Sequence, residues 1–224
     1  MKKILDTLKQ KWAEYILEIV VIIIGVLGAF ALNNWNTQRV KANAEKSLYA
    51  NVKRQINDDK KVIIGNIKYN DVYLKQFDFA AKIIERNDRS QIDTLGFITM
   101  NLTKYSDVNR NSDIYQTLVN SGELSLLNNR VVIEKLQKLE ETYAYMNRME
   151  KIHLDAIMFG IAPELHGVMK YADRSVQAPD ELYSYEFQNH FLMMMGIMDE
   201  KEKVYHQAIG EIDEITQLIQ KELE

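Results

Sequence analysis

ILEIVVIIIGVLGAFAL, residues 16–32, carries a single charge, Glu18, and lies between Trp12 and Tyr15 on one side and Trp35 on the other. At 1.5 Å rise per residue a helix of this length just crosses a hydrocarbon core of roughly 30 Å, and Trp and Tyr favour the two membrane interfaces. The stretch therefore predicts a single-pass membrane protein with the lipid bilayer as its first partner. Residues 1–15 form a basic amphipathic segment, 16–34 the transmembrane helix, and 35–224 a soluble domain tethered at its N-terminal end. Trp12, Tyr15 and Trp35 are the expected membrane-interface residues.

A basic start, an apolar run and Ala29-Phe30-Ala31 also fit a secretory signal with an A-x-A cleavage site. The long segment before the run argues for a retained anchor, because Ile4, Leu5, Leu8 and Trp12 gather on one side while Lys2, Lys9 and Lys11 lie elsewhere. Orientation follows the bias in basic residues. Lys2, Lys3, Lys9 and Lys11 precede the span, and Arg39, Lys41 and Lys46 follow it. The margin places the N-terminus in the cytoplasm and the domain in the periplasm, with the span in the inner membrane.

An ionised carboxylate inside a bilayer costs a few kcal/mol on insertion scales, unless it lies near a helix end and snorkels to the interface. Glu18 can do so. It also begins a stripe at helical spacing, Glu18, Ile22, Gly25, Ala29 and Asn36, in which Gly25 and Ala29 make a small-xxx-small pair. Such pairs let two helices approach closely, so this face is the candidate packing surface for a second copy or for a partner's transmembrane helix.

The remainder reads as all-α, with the transmembrane helix continuing into an elongated helical bundle. Two prolines and nine glycines in 224 residues, with abundant Leu, Ile, Lys, Glu, Gln and Ala, favour long helices over strands and tight turns. A net charge of −4, with basic residues dispersed among acidic ones, leaves no field to attract nucleic acid. The absence of cysteine excludes disulfides, thiolate zinc sites and cysteine nucleophiles.

Apolar residues recur in steps of three, four or seven from Val40 through Leu48, Val52, Ile56, Ile63, Phe77 and Ala81 to Ile84. They predict one very long helix or two stacked ones, with Gly65-Asn66 as the only weak point. Ile92 to Leu102 reads as a short helix. Asn111-Ser112-Asp113 supplies caps for a helix from Ile114 to Val119 that Gly122 can end, after which Leu124, Leu126 and Leu127 enter the core. Asn128 caps a second long helix to about Ile152, with the seam Val132, Leu136, Leu139, Tyr143 and Met146, packed antiparallel to the first. Pro163 and residues 173–180 mark the least regular region. Two helices follow, 181–198 and 199 to the end, the last with Ile209, Ile212, Ile215 and Ile219 on one side.

Two stretches, ILEIVVIIIGVLGAFALNNWNTQR (16–39) and DIYQTLVNSGELSLLNNRVVIEKLQKLEETY (113–143), together resemble an uncharacterised family of small single-pass membrane proteins common in Bacteroidota. Those proteins begin with a basic helix, carry Glu-Ile-apolar-Gly and Asn-x-Trp-Asn around the span, and later show Tyr-x-x-Leu-x-x-Ser-Gly-x-Leu. The matching positions are Glu18, Ile19, Gly25, Asn34, Trp35, Asn36 and Arg39, then Tyr115, Leu118, Ser121, Gly122 and Leu124. The resemblance covers the anchor and the middle of the chain and implies a retained anchor; it brings no activity, substrate or catalytic residue.

Other constellations are weak. Glu202 and His206 stand at i,i+4, half of a carboxylate-histidine metal site, but no second half accompanies them, and His153/Asp155 and Glu164/His166 do not share helical faces. Solvated surface histidines are the simpler reading. Met193, Met194, Met195 and Met198 contain soft ligands for Cu(I), yet three consecutive residues point in three directions on a helix, which favours core packing under Phe191 and Leu192. No nucleophile elbow, Ser/Lys signature or phosphate loop occurs. The sequence thus gives no catalytic, metal or cofactor residues. It points to a non-enzymatic protein acting by interaction, as a structural or accessory subunit of a membrane assembly. The alternative is a membrane-tethered sensor or small-ligand-binding module signalling through a partner, with a metal enzyme using Glu202 and His206 as a third, weaker reading.

Overall fold

The computed structural model describes the backbone of residues 2–108 and 114–224, and their side chains from residue 16 onward together with those of residues 12 and 14. The expected cap Asn111-Ser112-Asp113 and the side chain of Tyr15 lie outside the described residues. The fold is all-α as the sequence predicts. Its helices are α1 (Lys2–Glu85), α2 (Ile92–Thr99), α3 (Ile114–Ser121), α4 (Arg130–Asp155), α5 (Ala162–Val168), α6 (Pro179–Leu182) and α7 (Tyr185–Leu223). A two-residue-per-strand hairpin, β1 (Met169–Lys170) and β2 (Ser175–Val176), pairs Met169 with Val176 and Lys170 with Ser175.

The chain divides into two compact units, Met1–Leu48 and Tyr49–Glu224, and α1 contributes to both. Among the described residues of the first unit, α1 is the only element. Residues 16–43 are all exposed, including Ile16, Leu17, Ile19, Ile22, Ile24, Leu27, Phe30 and Leu32. Gly65-Asn66 does not interrupt α1, because no proline follows and the flanking residues carry the helical pattern unbroken.

In the second unit three helix seams meet. Val52, Ile56, Ile63, Phe77, Ala80 and Ile84 of α1 are buried, as are Val132, Leu136, Leu139, Tyr143 and Met146 of α4. So are Phe187, Phe191, Met194, Met198, Val204, Tyr205, Ala208, Ile212, Ile215 and Ile219 of α7. Spacings that alternate three and four keep each stripe turned toward its neighbours. Polar contacts fix the directions. Lys53 donates to Gln220 (2.6 Å), Asn57 to Thr216 (3.0 Å) and Gln188 to Ala81 O (3.0 Å), so α7 runs antiparallel to α1. Lys135 pairs with Glu214, Gln207 donates to Thr142 (3.1 Å) and Tyr145 to Glu200 (3.0 Å), so α7 is antiparallel to α4 as well.

It follows that α4 runs parallel to α1, not antiparallel as the sequence pattern suggested. Asn129 N donates to the Tyr49 hydroxyl (3.3 Å), and the Tyr143 hydroxyl donates to Asp59 (3.2 Å). The cause lies in the connection. After α1 and α2 the chain climbs back along α1: Asn101 donates to Gln76 (2.7 Å), Ser106 to Asn70 (2.8 Å), and Asn66 to Asp107 O (2.7 Å). This return delivers α4 to the Tyr49 end, from which it descends beside α1.

Other boundaries differ locally. One helix, α7, replaces the two expected over 181–224, since Asp199 continues the pattern without a breaker; Ser184 caps it by accepting from Phe187 N (3.1 Å). Asn129, not Asn128, caps α4, accepting from Val131 N (2.9 Å) and Val132 N (3.2 Å). Gly122 ends α3 at φ 75°, as its position predicted, but of the three following leucines only Leu127 is fully buried. On α7 Ala208 takes the deep position and Ile209 is half-buried. Pro163 does not break the helix: a wide π turn, Ala156–Ile161, precedes α5, and its looser winding accommodates a residue with no N–H to donate.

Candidate functional site

The residues of greatest chemical interest lie where the three seams turn polar at one level. Extending the α4 seam beyond Met146 by four and three residues reaches Glu150 and His153. On α7 the step from Met198 to Tyr205 passes through Lys201, and on α1 the step from Ile63 to Phe77 passes through Asn70. All are inside: Lys201, His153, Asn70 and Tyr205 are 0% exposed and Glu150 4%.

A strap of irregular chain, residues 104–108, closes this layer. The Lys201 ammonium donates to Ser106 O (2.7 Å) and to His153 Nδ1 (3.0 Å), with a longer contact to Ser106 Oγ (3.4 Å). Ser106 Oγ donates to Asn70 Oδ1, and Glu150 Oε1 accepts from both the Tyr205 hydroxyl (2.7 Å) and Val108 N (3.0 Å). The Tyr105 ring stands 5.4 Å from the His153 ring and 5.3 Å from Lys201 Nζ, and the Tyr205 ring 5.9 Å from the same nitrogen. Aromatic rings, one carbonyl oxygen, one hydroxyl and an imidazole nitrogen thus surround a buried cation.

Burial governs the electrostatics. It pushes Lys201 down to about 8, against the pull of the Glu150 and Asp107 carboxylates. It pushes His153 down to about 3, with the Lys201 charge acting in the same direction. Glu150 is raised by burial, opposed by its bonds from Tyr205 and Val108 and by Lys201; Tyr205 and Tyr105 are raised, again chiefly by burial. A neutral His153 accepting at Nδ1 carries its proton on Nε2, which is buried and finds no protein partner, as does Asn70 Nδ2. In this closed arrangement the layer can hold and share protons; a substrate would have to displace the strap to reach it.

The residues singled out in the span are placed on one exposed helix. Glu18, Ile22, Gly25, Ala29 and Asn36 all lie in α1, and a methyl group added at Gly25 would meet nothing within 4 Å. Trp12 and Trp35 are 62% and 60% exposed, and the Arg39 guanidinium stands 5.5 Å over the Trp35 ring. Among the remaining candidates, His206 Nε2 stands 3.5 Å from Glu202 Oε1, the histidine exposed and the glutamate half-buried. Among the described residues no three His, Asp or Glu side chains converge on a point. Met194 and Met198 are core residues as expected and Met195 is half-buried, whereas Met193 is 41% exposed and Leu192 50% exposed, because consecutive residues leave the helix in different directions. The reading of the histidines as surface groups fails at His153, because it occupies a seam position that the apolar pattern before it already defines. That seam continuation was the available signal for the whole layer.

Comparisons with profiles of known protein families, with curated proteins and with solved structures find no match to this chain.

Proposed function

We propose that this is a single-pass inner-membrane protein that acts without catalysis, as a structural or accessory subunit of a membrane assembly, with its helical domain in the periplasm. The observation that carries the reading is α1 itself. An 18-residue stretch of it near the N-terminus is apolar enough to cross a membrane, at a mean hydropathy of 2.5, and none of that stretch is covered by protein. Contiguous apolar surface of this extent is not stable against water and calls for lipid or another helix. The resemblance of the anchor to a family of small membrane proteins supports its retention. The Gly25 and Ala29 face supplies the surface through which a second copy or a partner helix packs.

Two experiments test this. The full chain, fused after Glu224 to a periplasm-active and separately to a cytoplasm-active reporter, is expected to stay with membranes after an alkaline carbonate wash and to activate only the periplasmic reporter. Release by the wash refutes the anchor; activity of the cytoplasmic reporter places the domain inside. In a transmembrane-association assay, Gly25→Leu and Glu18→Leu are each expected to lower the signal, and unchanged association would return this face to lipid.

A second reading, a tethered ligand-binding module, draws on a cleft between α2 and the hairpin, lined by Asp93, Phe97, Asp173 and Arg174, the last at φ 59°. A thermal-shift screen on the solubilised chain separates the two readings, since a binding module gains stability with some compound class.

A further inference from the structure

We propose that the buried polar layer is a latch: the Lys201 ammonium, together with Asn66, Asn70 and Glu150, seats the strap 104–108, which can lift away while the three long helices stay assembled. The argument rests on what holds the strap. Among the described residues, the bond that ties it to the preceding turn is Lys104 N to Asn101 O (2.9 Å). Of its five side chains Lys104 and Asp107 are exposed, Tyr105 is half-buried, and only Ser106 and Val108 are buried, each 8% exposed. Apolar burial, the usual source of adhesion, is therefore nearly confined to Val108 and part of the Tyr105 ring.

Polar anchors supply the rest, and the four of them come from three different helices. Asn70 of α1 accepts from the Ser106 hydroxyl, and Asn66 of α1 donates to Asp107 O. Glu150 of α4 accepts from Val108 N, and Lys201 of α7 donates to Ser106 O. The helices, by contrast, hold each other through apolar seams above and below this level, from Val132 to Met146 against Ala208 to Ile219, and around Phe77, Phe191 and Met194. The strap and the bundle therefore draw on separable interactions. A desolvated cation adds little or nothing to net stability, while removal of its bonds frees whatever it was holding. Segments with few buried apolar contacts are those that open locally below the global unfolding limit.

The test is limited trypsin digestion of the full chain in detergent micelles, with cleavage sites read by mass spectrometry and melting followed by circular dichroism. For Lys201→Met, first cleavage after Lys104 is expected to accelerate at least about tenfold, roughly the worth of one hydrogen bond to a charged group, with the melting temperature equal to or above that of the unmodified chain. Unchanged protection at Lys104 in a folded variant overturns the proposal. So does cleavage that accelerates equally within α4 and α7, because the strap would then belong to the cooperative core. Should Lys201→Met fail to fold, Ser106→Ala decides: it removes the hydroxyl that bonds Asn70 and contacts Lys201 from the strap side and substitutes no helix residue. Faster cleavage at Lys104 with an unaltered melt supports the latch, and no acceleration overturns it.

Discussion

Two buried side chains, His153 and Lys201, couple the stability of this domain to pH. His153 is held at about 3 by burial and by Lys201, while its ordinary value lies near 6.5. Between those values the unfolded chain binds a proton that the folded chain refuses, so stability conferred by a neutral His153 is full above pH 6.5 and drains away as the pH falls toward 3. Lys201, Tyr105 and, through Lys201, the Glu150 and Asp107 carboxylates face it. Glu150, being raised, contributes in the opposite sense. The prediction is therefore stated as a difference: the melting temperature of the unmodified chain minus that of His153→Leu becomes less favourable to the unmodified chain as pH drops from 6.5 to 4. A constant difference refutes the assignment of a neutral imidazole. Lys201 works at the other end. Its value of about 8 lies below the ordinary 10.5, so the unfolded chain binds the extra proton between those limits, and the stability gained by releasing it grows as pH rises from 8 to 10.5. Urea midpoints of the unmodified chain should accordingly gain on those of Lys201→Met across that interval.

At the level of single elements, caps and seams make separate demands. Asn129 satisfies two amides at the start of α4 and donates to Glu222 of α7 (2.7 Å), so Asn129→Ala should cost about 1 kcal/mol for the cap, with some addition for the lost cross-helix bond. Leu136 and Ile212 sit 1% and 0% exposed in facing seams, and truncation of either to Ala should cost about 2–5 kcal/mol by urea denaturation. If both changes prove nearly neutral, the seams described here are not the packed core. Gly122 is the one described glycine with a left-handed backbone, and a side chain there is strained whatever the space around it. The π turn before α5 shows the opposite strategy: the helix absorbs Pro163 by widening instead of ending, which is why a proline expected in the least regular region lies inside a helical run.

For the whole molecule, the helix directions are open to direct test because the chain contains no cysteine. Lys60 and Asp213 form a salt bridge across the antiparallel α1/α7 pair, so Cys at both positions should cross-link within one chain under a short bifunctional maleimide. Asp59 and Tyr143, hydrogen-bonded across the parallel α1/α4 pair, should behave likewise, and failure of that second link would restore the antiparallel arrangement. The amino-acid sequence alone was sufficient for the apolar run at 16–32, the all-α class, the glycine end of α3 at Gly122 and the alternating seams, because each depends on local periodicity or on local backbone conformation. It also contained the polar layer in latent form, since Asn70, Glu150, His153 and Lys201 all stand where the spacing demands apolar residues. What only the tertiary structure decided was that these four positions fall at one level, that a strap closes over them, and that α4 runs with α1. Those facts depend on how far the chain travels back along α1 between Glu85 and Arg130, and an irregular return of that kind has no periodicity from which its path could be read.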